Sequence, residues 1–225
     1  MNQMSKKVVS LLPKFVQQEL KRWYYWAQIR LQQFTSEEID YIFLEKYVAS
    51  GDWVIDVGAN IGHYTTKLSE LVGVNGRVIA FEPVPETFSL LTSNTSHLTY
   101  QNVTLINAAV SDRSASFGME IPKFESGLNN YYEAHLSDQE SSLNILGFSI
   151  DSLCIPHQIS LIKIDAENHE PSVLLGLRDL LNRDHPTLIV EGNSLAIEKF
   201  LFEYGYSRKR LAGSPNTIFI NSHNN

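Results

Sequence analysis

The stretch from Asp52 to Gly62, Asp-Trp-Val-Ile-Asp-Val-Gly-Ala-Asn-Ile-Gly, constrains the fold more than any other part of the chain. Trp53, Val54, Ile55 and Val57 form a short apolar run suited to a parallel strand covered on both faces. Gly58 and Gly62 follow with Ala59, Asn60 and Ile61 between them, so the strand should turn directly into a helix whose first N–H groups face an anion. Asp56 falls inside the strand end, where an unpaired carboxylate is costly and a cationic or hydrogen-bonding ligand group is its natural partner. The glycines stand four apart, which departs from the G-x-G-x-x-G fingerprint of dinucleotide sites. The shape suits a ligand with a free amino-acid end and an adenosine end.

The remaining chain alternates strand and helix signals. Strands are predicted at Arg77 to Phe81, Val103 to Ile106, Ile159 to Ile164 and Thr187 to Val190, and an antiparallel closing pair at Tyr206 to Leu211 and Thr217 to Ile220. Helices are predicted from Val8 to Phe34, from Thr35 or Ser36 to Ser50, from Tyr64 to Val72, from Glu86 to about Leu98, from Pro171 to about Leu181 and from Leu195 to Tyr204. This alternation is that of an α/β sheet with helices on both faces. Residues 114–151 break it: one strand at Ala115 to Ile121 precedes a polar, aromatic passage with Tyr131, Tyr132 and His135, the pattern of a substrate lid or insert.

With 225 residues the chain suits one domain, 35–225, preceded by a helical extension over 1–34. Its net charge of −7 disfavours an extended nucleic-acid surface. The extension is the exception, with Lys6, Lys7, Lys14, Lys21, Arg22 and Arg30 against Glu19, and with the cluster Trp23-Tyr24-Tyr25-Trp26 beside them. It reads as a helix packing its aromatics on the domain, a peripheral membrane contact, a homodimer contact or a wall of the substrate site. The single cysteine, Cys154, fits a reducing compartment. No leader pattern and no apolar run of about 18 residues is present, so a cytoplasmic location is the expectation.

In open α/β sheets the ligand crosses the carboxyl ends of the strands. The polar residues at those ends are Asp56, Glu82, Asn107 with Asp112, Asp165 and Glu191. Glu82, ahead of Pro83, can accept both hydroxyls of a ribose.

Four segments resemble the FkbM family of class I S-adenosylmethionine-dependent methyltransferases: Val54 to Gly62, Gly76 to Pro83, Asn107 to Asp112 and Leu161 to Glu170. The resemblance runs from about Ser50 to Glu191 and implies a Rossmann-like, doubly wound, mostly parallel sheet of seven strands with an antiparallel last strand. It implies S-adenosylmethionine as cofactor and O-methylation of a small molecule or glycan hydroxyl. By position, Asp56, Gly58, Ala59, Asn60 and Gly62 would hold the methionine portion, and Glu82 the ribose. Ala109, Ser111 and Asp112 would flank adenine. His63 and Tyr64 would line the methyl pocket. Asn168 stands where the family has glycine, and asparagine is the residue best able to replace a glycine at positive φ.

Methyl transfer to a hydroxyl needs in-line alignment and a base within hydrogen-bond reach. Asp165, Glu167, His169 and Glu170 are the candidates. An alternative places Mg²⁺ on Asp165, Glu191 and Asn193 to acidify a diol, and is the less favoured. Two other classes compete: a nicotinamide-dependent oxidoreductase on a similar fold, and a non-catalytic binding module.

Overall fold

A computed structural model describes residues 12–124, 127–137, 141, 143–192 and 194–224, without the side chains of Tyr132 and Asn224. Lys6, Lys7 and Asn193 therefore lie outside the described residues. The chain enters through α1 (Lys14–Arg30) and α2 (Ile39–Ile42), then follows β1 (Trp53–Val57), α3 (His63–Val72), β2 (Arg77–Phe81), α4 (Pro85–Thr95) and β3 (Val103–Ile106). A second group comprises β4 (Ala109–Val110), β5 (Ala115–Glu120), β6 (His135–Ser137) and β7 (Leu143–Phe148). The chain closes with β8 (Ile159–Ile164), α5 (Glu170–Leu175), α6 (Arg178–Asp184), β9 (Thr187–Glu191), α7 (Leu195–Glu203), β10 (Tyr206–Arg210) and β11 (Asn216–Asn221).

Seven strands form one sheet in the order β10-β11-β9-β8-β1-β2-β3. β8, β1, β2, β3 and β9 pair in parallel, and β11 runs antiparallel to both β9 and β10. This is the Rossmann-like sheet with a reversed last strand. Its central strands are buried on both faces, so they are apolar throughout rather than alternating. One face packs Ile55, Val57, Ile162 and Ile164 among helices α5 to α7. The other packs Val54, Leu161, Ile189 and Leu68. Asp56 and Lys163 are register partners in the middle of this otherwise apolar sheet.

Residues 114–151 do more than cross the site as an aperiodic lid. With β4 they form a four-stranded sheet in the order β4-β7-β5-β6, sealed by Val84, Ala109, Phe117, Met119 and Ile145.

Two predicted helices differ. The stretch from Thr35 to Ser50 contains only α2 and a 3₁₀ turn over Leu44–Lys46. Glu37 and Glu38 were expected in a first helical turn, but Glu38 is extended and sits just before α2. Tyr64 Oη lies within hydrogen-bond distance of the Glu38 and Asp40 carboxylates, and Asn216 Nδ2 donates to both. These long-range bonds fix Glu38 in extended backbone and Asp40 in the first turn of the four-residue α2. The helix predicted from Pro171 to Leu181 breaks into α5 and α6 at Gly176. A Cβ there would lie 2.1 Å from the Ser111 carbonyl oxygen, so the backbone approaches too closely for any other residue.

Candidate active site

The carboxyl ends of β1, β2, β8 and β9 open into a cavity of about 280 Å³. A second of about 120 Å³ adjoins it, and the two share Glu38, Gly58, Asn60 and Asp165 in their walls. The larger cavity is bounded by Glu82, Ala109 and Glu167, and the smaller by Asp56, Tyr64 and Lys163. Together they make a crevice with a wide compartment over β2 and a narrow one over α3.

Gly58 sets the floor. Its φ is +74°, and a Cβ would sit 1.8 Å from the Asp165 carbonyl oxygen, so β1 and β8 can end side by side only with glycine here. The Gly58 and Ala59 N–H groups both donate to the Phe81 carbonyl. Gly62 then caps α3 from φ +98°.

Glu82 is buried, 5 % exposed, on the wall of the larger cavity. Its Oε2 accepts from Asn60 N–H at 2.9 Å and its Oε1 from Val84 N–H at 2.9 Å. Burial pushes the carboxyl up to about 7, although those two N–H donors favour the anion. A carboxylate offers about four acceptor positions, so two remain for a ligand. Asn107 Nδ2 donates to the Glu82 and Pro83 carbonyls and locks the turn. The sequence named Glu82 and Asn107 as strand-end residues; the structure adds that one braces the other.

Asp56 has no exposed surface. Its Oδ2 accepts from Thr65 Oγ1 at 2.6 Å, and its Oδ1 has no hydrogen-bond partner among the described residues. Burial raises its pKa while Lys163 lowers it. An orphaned buried oxygen beside the smaller cavity is a place for a donor from a ligand.

Lys163 is the residue the sequence reading passed over. Its Nζ donates to Asp165 Oδ2 at 2.6 Å and lies 4.9 Å from the centre of the Tyr64 ring. Burial pulls its pKa down, but Asp165 and Asp56 together hold it above the usual lysine value. A lysine in an apolar run was the available signal, because a buried ammonium demands a counter-charge.

Asp165 also shares a hydrogen bond with Glu191. Burial opposes ionisation of Asp165, yet Lys163 and that bond keep it below its ordinary value. The cost falls on its neighbours: burial and Asp165 push Glu191 up to about 8, and burial with Asp165 and Glu170 pushes Glu167 up to about 7. Oxygens of Asp165, Glu167 and Glu191 all lie within 4.8 Å of one another. Among the described residues Glu167 completes this group, and Lys163 already supplies a cation to Asp165.

The other predicted residues divide. His169 and Ala109 line the larger cavity, as does Pro83. His169 Nε2 lies 2.9 Å from Ser111 Oγ. Ser111 and Asp112 do not reach either cavity wall; Asp112 pairs with Arg113 instead. Glu170 is buried and turned into its own loop, where Oε1 accepts from the Ala166 and Asn168 N–H groups. It shapes the turn rather than facing the cavity. Asn168 does adopt positive φ, +72°, and so does Glu167 at +47°. Tyr64 presents its ring to the smaller cavity while its hydroxyl binds Glu38 and Asp40; burial and these acids push its pKa far up. Of the insert, Tyr131, Met119 and Leu136 line the larger cavity, whereas His135 turns to Glu133 and Glu120.

Comparison with known proteins places this arrangement. The FkbM methyltransferase domain model matches residues 56–208. The chain belongs to the FkbM methyltransferase-domain family. The hexuronic acid methyltransferase AglP of Haloferax volcanii is 28 % identical over 156 residues, covering 68 % of this chain and 61 % of that protein. A protein-L-isoaspartate O-methyltransferase of Methanococcus aeolicus is 38 % identical over only 56 residues, 25 % of the chain. The crystal structure of an FkbM methyltransferase from Methylobacillus flagellatus KT superposes with a TM-score of 0.56 at 18 % identity, covering 76 % of this chain and 44 % of that one. Aeropyrum pernix fibrillarin, solved with natively bound S-adenosyl-L-methionine, gives a TM-score of 0.51 at 15 % identity, over 77 % of this chain and 68 % of its own. The chain thus spans less than two thirds of AglP and under half of the FkbM structure. The similarity to the solved structures is one of fold.

Proposed function

We propose that this protein transfers a methyl group from S-adenosylmethionine to an oxygen of a sugar or small-molecule acceptor. The observation that carries the proposal is Glu82. Its two oxygens are aimed and braced by backbone N–H groups at the wall of the larger cavity, with acceptor positions left for a vicinal diol. The wall beyond it, Ala109 and Val110, is apolar and suits a purine. At the other end, the orphaned Asp56 Oδ1 and the glycine floor suit a charged amino-acid tail. S-adenosylmethionine, when bound, supplies an electrophilic methyl carbon.

The chain's own residues supply the rest. Glu167 is the proposed base: it faces the larger cavity and its carboxyl is raised to about 7, which matches the proton affinity to the working pH. The negative charges of Asp165 and Glu170 next to it raise the basicity of Glu167. His169 positions the Glu167 turn from its contact with Ser111. Tyr131, Met119 and Leu136 on the insert cover the acceptor and exclude water. The sugar acceptor is supported by the likeness to a hexuronic acid methyltransferase.

The test is incubation with S-adenosylmethionine and a panel of hexuronic-acid-containing glycans, read by mass spectrometry. A gain of one methyl group, absent with Glu167→Gln, is expected. Methylation of protein or nucleic acid instead, with glycans untouched, would overturn the acceptor assignment.

A further inference from the structure

Helix α1 is amphipathic in the inverted sense. The residues it turns to the domain include Gln18 and Arg22, whose side chains donate to the Glu86 carbonyl at 2.9 Å and to Ser89 Oγ at 2.7 Å on α4. Tyr25 and Ile29 continue that inner line and pack with Phe34, Ile61 and Leu90. These four positions are spaced four, three and four residues apart, one stripe of a helix. The opposite stripe, at the same spacing, is Val16, Leu20, Trp23, Ala27 and Leu31. Leu20 is 47 % exposed, and Trp23 and Leu31 are each 65 % exposed. Tyr24 flanks it, and Phe15 and Trp26 are exposed as well. No residue of this helix is buried.

Charge decides what this face fits. Six of the eighteen basic residues and only one of the twenty-five acids lie in residues 1–34, leaving +5 there and −12 on the remainder. Two copies of a +5 segment repel each other, whereas an anionic lipid surface attracts one, and Lys14 and Arg30 are described bases of the segment left exposed. The aromatic side chains suit the same partner. Trp23 and Trp26 pack edge to face, with the Arg30 guanidinium over Trp26, an arrangement in which the rings seat at headgroup depth and the cation at the phosphates.

We infer that α1 is an interfacial helix that lays its Leu20–Trp23–Leu31 face on an anionic bilayer. The helix lies in the membrane plane and does not cross it, since no described helix is long and apolar enough to do so. Lys21 sits over the ring of Tyr131, which lines the larger cavity, so the docked helix borders the rim of that cavity. Catalysis would then take place beside the lipid surface.

The test uses the full chain with vesicles of phosphatidylcholine alone and vesicles enriched in phosphatidylglycerol. Co-sedimentation with the anionic vesicles is expected, weakening as salt rises. A doubly substituted Trp23→Ser, Trp26→Ser chain and a separate Lys14→Glu, Arg30→Glu chain should each lower partitioning by about tenfold or more. The helix residues packed into the domain's apolar cluster are Tyr25 and Ile29, not these four, so melting temperature and cofactor binding should be unchanged. Absence of vesicle binding, equal binding to both vesicle types, or a loss of dimer by light scattering in the tryptophan variant without any change in vesicle binding would each overturn the inference.

Discussion

Lys163 Nζ donates to Asp165 Oδ2 at 2.6 Å from inside an otherwise apolar strand, with Asp56 beside it in register on the neighbouring strand. Removing the ammonium would leave both acids next to one another without a counter-charge. Lys163→Met is expected to destabilise the fold by about 3 kcal/mol, read by urea unfolding, as when one member of a buried pair is deleted. An unchanged midpoint would show that the pair contributes no net stability.

Gly58→Ala should be costly for a different reason. The new methyl would occupy the space of the Asp165 carbonyl, at a backbone φ of +74°. Strain and overpacking together predict a loss of about 3 kcal/mol, and a lower melting temperature checks it. Ala59→Gly, one residue on, should change stability by less than about 1 kcal/mol.

The pH dependence of activity follows from Glu167. Its carboxyl titrates near about 7, raised by burial and by Asp165 and Glu170. The anion is the base, so kcat at saturating cofactor and acceptor should rise up to about pH 7 and level off above it. Glu167→Gln should remove that limb and lower kcat by roughly 10²–10⁴-fold. A profile unchanged in shape would assign the proton transfer elsewhere.

The pH dependence of stability has the same sign at four carboxyls, of which burial raises Asp56 from 3.8. Glu82, Glu167 and Glu191 are raised from 4.5 to about 7, 7 and 8. Stability from a raised acid is fully present below its unfolded pKa and lost as pH climbs through its folded one. Melting temperature should therefore decline between about pH 5 and pH 8, and Glu191→Gln should flatten the upper part of that decline. Asp165 and Lys163 act outside this window, since one is lowered from 3.8 and the other raised from 10.5.

The central strands were legible because burial on both faces leaves a run such as Ile159 to Ile164 apolar almost without interruption. The first crossover helix was legible too, since Gly62 and Gly73 bracket it. What the sequence could not show was where acids would be drawn by distant partners. Glu38 resembles a helix-start acid until Tyr64 and Asn216 are folded against it, 26 and 178 residues away. Gly176 breaks a helix only because Ser111 lies across it. In the insert, the alternation of β7 is masked by Leu146, which is 60 % exposed. At the site, strand-end position alone identified Glu82, Asp165 and Glu191. It could not show that Glu170 turns inward, or that Lys163 joins Asp56 to Asp165.

The central claim is that Glu82 receives a ribose diol. Glu82→Gln keeps the size of the side chain but loses the anion, and should weaken S-adenosylhomocysteine binding by about tenfold or more in a calorimetric titration. The most direct measurement is a crystal structure with S-adenosylhomocysteine bound. Both ribose hydroxyls within hydrogen-bond distance of the Glu82 oxygens, and the amino-acid tail in the compartment of Asp56 and Lys163, are the expected result. A ribose bound away from Glu82, or a crevice left empty at saturating ligand, would contradict it.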